Sequence, residues 1–140
     1  PIERRIVSNT LQLASYQHLC YSSIGYAPTH LNGTPLIVTG IANPMPLLTH
    51  LQQQYPDTEL LAYPDHHIFT PQDVNRIMQK AEQYVCVVTT EKDYMRLLQT
   101  PLVEQLGDKL HVISIQTNLG IDKEAFDRQI LLYVSENNRK

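Results

Sequence analysis

Tyr84-Val85-Cys86-Val87-Val88-Thr89-Thr90-Glu91-Lys92-Asp93 is the stretch on which the fold turns. Its first five residues form a β-branched, apolar run that is too short for a free-standing helix, so it reads as a strand buried on both faces. A strand of that kind belongs in a parallel sheet covered by helices. The residues that follow have the composition of a first helical turn: Thr90 suits the N-cap, and Asp93 falls where a capping box places its acid. A strand that runs straight into a capped helix is half of a βα unit.

The same pattern recurs on both sides of this stretch. Upstream, Leu36-Ile37-Val38 is an all-apolar run ending in Thr39-Gly40, and Asn43-Pro44 opens a helix with Leu47, Leu48 and Leu51 on one face. Glu59 to Tyr63 is a second strand. Thr70, Pro71 and Asp73 then signal a helix start, and Val74, Ile77, Met78 and Ala81 form the stripe of that helix. Downstream come a short helix with Tyr94, Leu97 and Leu98, and another from Pro101 carrying Leu102, Val103 and Leu106. A fourth strand follows over His111 to Ile115, and Asp122 is placed to cap a final helix whose buried side carries Phe126, Ile130, Tyr133 and Val134. Strand and helix alternate four times, which predicts an α/β fold: a three-layer, open, mostly parallel, Rossmann-like sheet with helices on both faces. That lobe occupies residues 35–140. Residues 1–34 read as an extended linker or hairpin segment, with Ile2 to Val7 and Gln17 to Tyr26 extended, a possible helical turn within Ser8 to Tyr16, and a turn at Asn32-Gly33. The tail from Asn137 to Lys140 is expected to fray.

Bulk properties narrow the class. A chain of 140 residues, 42% hydrophobic and 18% charged, is long enough for a core of its own. The formal charge of -3 gives no basic footprint for nucleic acid. No apolar stretch is long enough to cross a bilayer and the first five residues do not resemble a signal peptide, so a soluble domain is expected. Cys20 and Cys86 sit in apolar or aromatic runs and read as reduced core residues. Neither a Gly-x-x-x-x-Gly-Lys-Ser/Thr loop nor a Gly-x-Gly-x-x-Gly turn is present, so these residues carry no standard phosphate cradle. The start at Pro1 suggests a piece of something longer.

If the strands are parallel, three polar loops leave the same edge of the sheet, where open α/β folds bind ligands. They are Thr39-Gly40-Ile41-Ala42-Asn43-Pro44, the loop of Asp65, His66 and His67, and Thr90-Glu91-Lys92-Asp93. Gly40 permits close approach of backbone to a ligand, and the helix start at Asn43 offers free N–H groups. Asp65 beside His66 can be an acid/base pair, since a carboxylate fixes a histidine tautomer and raises its basicity; a plain turn fits the same residues. Neighbouring histidines rarely face one ion, so no metal site is assigned. Lys92 could reach a phosphate and Glu91 could accept from a sugar hydroxyl or a base, against the simpler reading of a solvated ion pair.

Taken together, Thr39 to Pro44, Pro64-Asp65-His66-His67-Ile68-Phe69-Thr70 and Thr89 to Asp93, in this order and spacing, resemble the C-terminal part of the tetraacyldisaccharide 4'-kinases, lipid A 4'-kinases. The likeness covers Pro35 to about Leu98, with Tyr21 to Tyr26 similar to the preceding extended region; beyond Leu98 only the pattern agrees. The resemblance implies transfer of the ATP γ-phosphate, with Mg2+, to the 4'-hydroxyl of a lipid A disaccharide precursor, by a peripheral enzyme at the cytoplasmic face of a Gram-negative inner membrane. It implies an N-terminal P-loop lobe, absent here, with the active site between the lobes. It gives His66 a catalytic role with an aspartate of that lobe in activating the sugar hydroxyl, with Asp65 as orienting neighbour and His67 the lesser candidate. Thr90, Glu91, Lys92 and Asp93 would face the nucleotide side. Without the P-loop lobe, this piece is expected to bind ATP weakly and to be inactive alone. Two other readings compete. An Asp-His-His triplet also marks a metal-dependent phosphoesterase family, but the extra aspartates such an enzyme needs are missing from the strand that ends in Thr39-Gly40. A non-catalytic module that binds a nucleotide or a partner would use the same loops.

Overall fold

The computed structural model describes residues 10–137. Its contacts divide into two units, one of Gly25–Gln116 and one made of Pro1–Ile24 with Thr117–Lys140. The extended segment expected over Ile2 to Val7 lies outside the described residues, as do Ser8 and Asn9 and residues 138–140 of the tail. The described strands begin with β1 (Ser23–Tyr26), so residues 17–22 of the expected extended stretch carry no strand.

The larger unit is built on β2 (Pro35–Thr39), which leads through α1 (Met45–Gln52) to β3 (Glu59–Ala62) and through α2 (Pro71–Ala81) to β4 (Cys86–Thr90). Two short helices, α3 (Glu91–Leu97) and α4 (Leu102–Leu106), then lead to β5 (Leu110–Ile113). The sheet has four strands in the order β3-β2-β4-β5, and each neighbouring pair is parallel. Every residue of β2 and β4 is buried, as central parallel strands require. Alternate residues feed opposite faces. Leu36, Val38 and Val87 pack with Val74 and Ile77 of α2 and with Leu97, Leu102 and Leu106. Ile37 and Val88 pack with Leu47 and Leu51 of α1 and with Ile113. Each such side chain contributes about 1.5–3 kcal/mol by leaving water, which sets the rigidity of the strand ends.

The chain passes from β2 outward to β3, then back across β2 to β4. That reversal puts α1 on one face and α2 to α4 on the other, and makes the space between the carboxyl ends of β2 and β4 the topological switch point.

Two boundaries and the burial of one helix differ from expectation. The strand expected over Tyr84 to Val88 runs from Cys86 to Thr90, because Tyr84 closes the turn after α2 by donating to the Ala81 carbonyl at 3.2 Å. The fourth strand ends at Ile113 and not at Ile115. Ser114 leaves the ladder, its carbonyl accepting from Ala27 N–H at 3.0 Å, and a separate strand β6 (Ile115–Asn118) pairs with β1. Last, α5 (Lys123–Asn137) has no buried residue, so Phe126, Ile130, Tyr133 and Val134 do not form the expected buried side. In its own unit this helix lines a shallow cavity with residues 18–20, a segment too narrow to cover the stripe. Asp122 ends a 3-10 turn before α5 and accepts from the Tyr21 N–H at 2.9 Å.

Candidate functional site

All three polar loops of the larger unit meet at the carboxyl edge of the sheet, and a buried carboxylate joins two of them. Asp93 is fully buried in the first turn of α3. Its Oδ2 accepts from Thr39 Oγ1 at 2.5 Å, from Gly40 N–H at 3.0 Å and from Thr90 Oγ1 at 2.9 Å. Its Oδ1 pairs with Arg96 at 2.9 Å. Asp93 therefore does more than cap: Thr90 does cap Asp93 N–H, but the carboxylate points back to the end of β2. Sequence spacing concealed this, because Thr39 and Asp93 lie 54 residues apart. The available signal was Thr39 itself, a hydroxyl at the end of an otherwise apolar buried strand.

Gly40 is placed by the same joint. A Cβ there would stand 3.0 Å from the Pro64 carbonyl and 3.4 Å from His67 Cβ, so the missing side chain lets one loop approach another. Asn43 is exposed, and its Oδ1 accepts from Met45 N–H at 3.3 Å at the start of α1.

The Asp65-His66-His67 loop splits its two rings. His67 turns inward, stacking on Tyr63 at 4.8 Å and meeting Phe69 edge-on at 5.2 Å. Its Nε2 lies 2.9 Å from Asp73 Oδ2, so it supports the start of α2. There Thr70 and Asp73 form the expected capping box, with Pro71 in the first turn. Burial opposes ionisation of Asp73, but hydrogen bonds from Thr70 N–H, Thr70 Oγ1 and His67 outweigh it and bring the carboxyl down to about 2 from an ordinary 3.8. A carboxyl depressed in the folded state adds stability that is complete above the unfolded value and lost as pH falls through the folded one. Unfolding free energy should therefore drop by about 2 kcal/mol between pH 5 and pH 1 through this group. Urea titrations across that range should show a flatter dependence for Asp73→Asn, and an unchanged slope would refute the assignment.

His66 turns outward, with a side chain 74% exposed on a backbone at φ 60°. That left-handed conformation is uncommon for a side-chain-bearing residue and is tolerated best by short polar ones and histidine. Asp65 sits beside it but does not orient the ring through a hydrogen bond, since Asp65 Oδ2 is 3.6 Å from His66 Nε2. Asp65 Oδ1 instead accepts from His66 N–H at 3.0 Å and from Lys92 Nζ at 3.1 Å. The Lys92 hydrogen bond is the largest influence holding the Asp65 carboxyl below the usual carboxylate range, against the pull of partial burial. Lys92 thus ties α3 to this loop, while Glu91 Oε1 accepts from Ser114 Oγ at 2.6 Å and ties α3 to the end of β5.

Arg96, which sequence reasoning did not single out, reaches all three loops. It donates from Nη1 to Asp93 Oδ1 at 2.9 Å and to the Gly40 carbonyl at 3.3 Å, and its Nη2 lies 3.2 Å from His66 Nδ1. A guanidinium can only donate, so His66 Nδ1 accepts and the ring proton is on Nε2. The signal available in the sequence was its i,i+3 spacing from Asp93 on a short helix.

Among the described residues, no group of three His, Cys, Asp or Glu side chains could hold a metal ion. Asp65 and Asp93 are committed to Lys92, Arg96 and neighbouring donors, so the residues present do not fit magnesium.

A parallel sheet that presents a histidine, two carboxylates, a lysine and an arginine at the carboxyl ends of its strands is an α/β domain of the kind that carries ligand chemistry on that edge. The family model for tetraacyldisaccharide-1-P 4'-kinase matches residues 4–135. The chain belongs to that family. It is 30% identical over 167 residues to a tetraacyldisaccharide 4'-kinase of Bacteroides thetaiotaomicron, covering 99% of this chain and 44% of that protein. To the protein of the same name from Phocaeicola vulgatus it is 32% identical over 160 residues, with 99% and 44% covered. A Flavobacterium johnsoniae tetraacyldisaccharide 4'-kinase is 37% identical over 102 residues, covering 73% of this chain and 28% of the other. The chain thus spans less than half the length of these curated relatives. No solved structure matches. No helix among the described residues is long and apolar enough to cross a membrane.

Proposed function

We propose that this chain is the C-terminal lobe of a lipid A 4'-kinase, which transfers the ATP γ-phosphate to the 4'-hydroxyl of a tetraacyldisaccharide 1-phosphate. Family membership supports the reaction class, and the single structural observation that supports the site is the convergence of Asp65, His66, Lys92 and Arg96 on one rim. In this reading an N-terminal P-loop lobe holds ATP and Mg2+, and the enzyme works peripherally at the cytoplasmic side of the inner membrane. The sugar oxygen forms its bond to phosphorus as the bond to the departing nucleoside diphosphate breaks, and the hydroxyl proton passes to a carboxylate of the facing lobe. This chain contributes the exposed His66 against the reacting oxygens. Phosphoryl transfer rests on positioning and charge neutralisation, so the lobe alone should not turn over.

The test is His66→Ala in the full-length enzyme, assayed for transfer to a tetraacyldisaccharide 1-phosphate. A fall in kcat of about 10²-fold or more is expected, the scale of one lost contact to developing charge. His66 is exposed and contributes little packing, so the variant should stay folded and lose only the cost, about 1 kcal/mol, of holding alanine at φ 60°. A rate equal to wild type would remove His66 from the site.

A further inference from the structure

We propose that Arg96 is a positioning residue that holds His66 as a neutral hydrogen-bond donor, so that His66 offers Nε2–H to a phosphoryl oxygen and accepts no proton itself. The inference rests on the reading above, since it names what His66 does at the site proposed there.

Three observations carry it. Arg96 Nη2 approaches His66 Nδ1 at 3.2 Å, and a guanidinium has no lone pair to offer a ring N–H. The nitrogen facing it must be the unprotonated one, which puts the ring proton on Nε2. Next, the guanidinium is not free to swing away, because its other end is held by the buried Asp93 carboxylate at 2.9 Å and by the Gly40 carbonyl at 3.3 Å. The cation is therefore anchored to the residue after β2 and to the first turn of α3, and the exposed ring is anchored to the cation. Last, Nε2 makes no hydrogen bond to Asp65: Asp65 Oδ2 is 3.6 Å away, too far for one. That carboxyl is engaged through Oδ1 by Lys92 and by the His66 backbone.

A ring held this way has its lone pair covered and its N–H presented. A base needs the reverse. The matching ligand group is an anionic acceptor, and a phosphoryl oxygen in transfer gains charge that such a donor stabilises. The neighbouring cations add little to this, because Lys92 is paired with Asp65 and Arg96 with Asp93. The proposal places no covalent or proton-transfer step on His66; the hydroxyl proton leaves by the partner-lobe carboxylate named above.

The experiment uses the full-length enzyme and compares His66→Ala, His66→Gln, Arg96→Ala and Arg96→Lys. Glutamine can donate from Nε2 but cannot take a proton at neutral pH. His66→Gln is expected to retain kcat within about 10-fold of wild type, while His66→Ala loses about 10²-fold or more. Long-range 1H–15N spectra of the imidazole should show His66 protonated on Nε2 in the wild type. In Arg96→Lys, whose single ammonium cannot serve Asp93 and His66 together, the two tautomers should mix, with kcat lowered and KM for ATP unchanged. Arg96→Ala should do the same where it folds, and Arg96→Lys decides the matter where it does not. If His66→Gln is as slow as His66→Ala, the donor role is wrong and the site assignment stands. If His66→Ala retains the wild-type rate, the site assignment itself fails. A wild-type imidazole spectrum in Arg96→Lys overturns the positioning role of Arg96.

Discussion

Asp93→Ala should cost about 3–5 kcal/mol of unfolding free energy. Its side chain is fully buried and gathers four donors, Thr39 Oγ1, Gly40 N–H, Thr90 Oγ1 and Arg96. Removing it leaves the Gly40 N–H and two buried hydroxyls without their acceptor and deprives Arg96 of its anchor. Asp93→Asn should cost less, because an amide oxygen can still accept, although it no longer offsets the guanidinium charge. Urea unfolding followed by far-UV circular dichroism measures both. A loss below about 1 kcal/mol for the alanine variant would show that the strand ends hold together without this joint.

Phe69→Ala should lose a similar amount, about 3–5 kcal/mol, from the emptied core position. Phe69 is buried between the Asp65-His66-His67 loop and α2, edge-on to Tyr63 at 5.2 Å and to His67 at 5.2 Å. Truncation would open a void under His67, and with it the support of the Asp73 cap. Phe69→Leu keeps most of the volume and should lose about half as much or less. Thermal melts of the two variants side by side would reveal the order, and equal losses would mean that the aromatic contacts matter more than the filled volume.

The α/β alternation, the parallel pairing and the capped start of α2 could be read from sequence because each depends on residues close together. The Thr70–Asp73 box spans one helical turn, and β2 and β4 announce themselves as short apolar runs. Asp93 shows where that reading stops. A first-turn acid looks the same in sequence whether its carboxylate faces solvent or the end of a strand 54 residues earlier. His66 and His67 pose the same problem at closer range: one ring is held against Tyr63 and Asp73, the other on Arg96, and adjacency could not say which. The apolar stripe of α5 misled for another reason. Periodicity states that a helix has a face to cover, and not that a cover is at hand.

The reversal of strand order between β2 and β4 has a consequence for any small molecule approaching this domain by itself. Doubly wound sheets usually keep a slot open at that seam, where splayed loops grip a ligand from both sides. Here the seam is stitched by one carboxylate, with a guanidinium bound to that carboxylate and to the Gly40 carbonyl. If the lobe proposed above closes over this edge, the grip on substrate comes from that lobe, and the residues of this edge resemble an anvil that fixes the place of the blow.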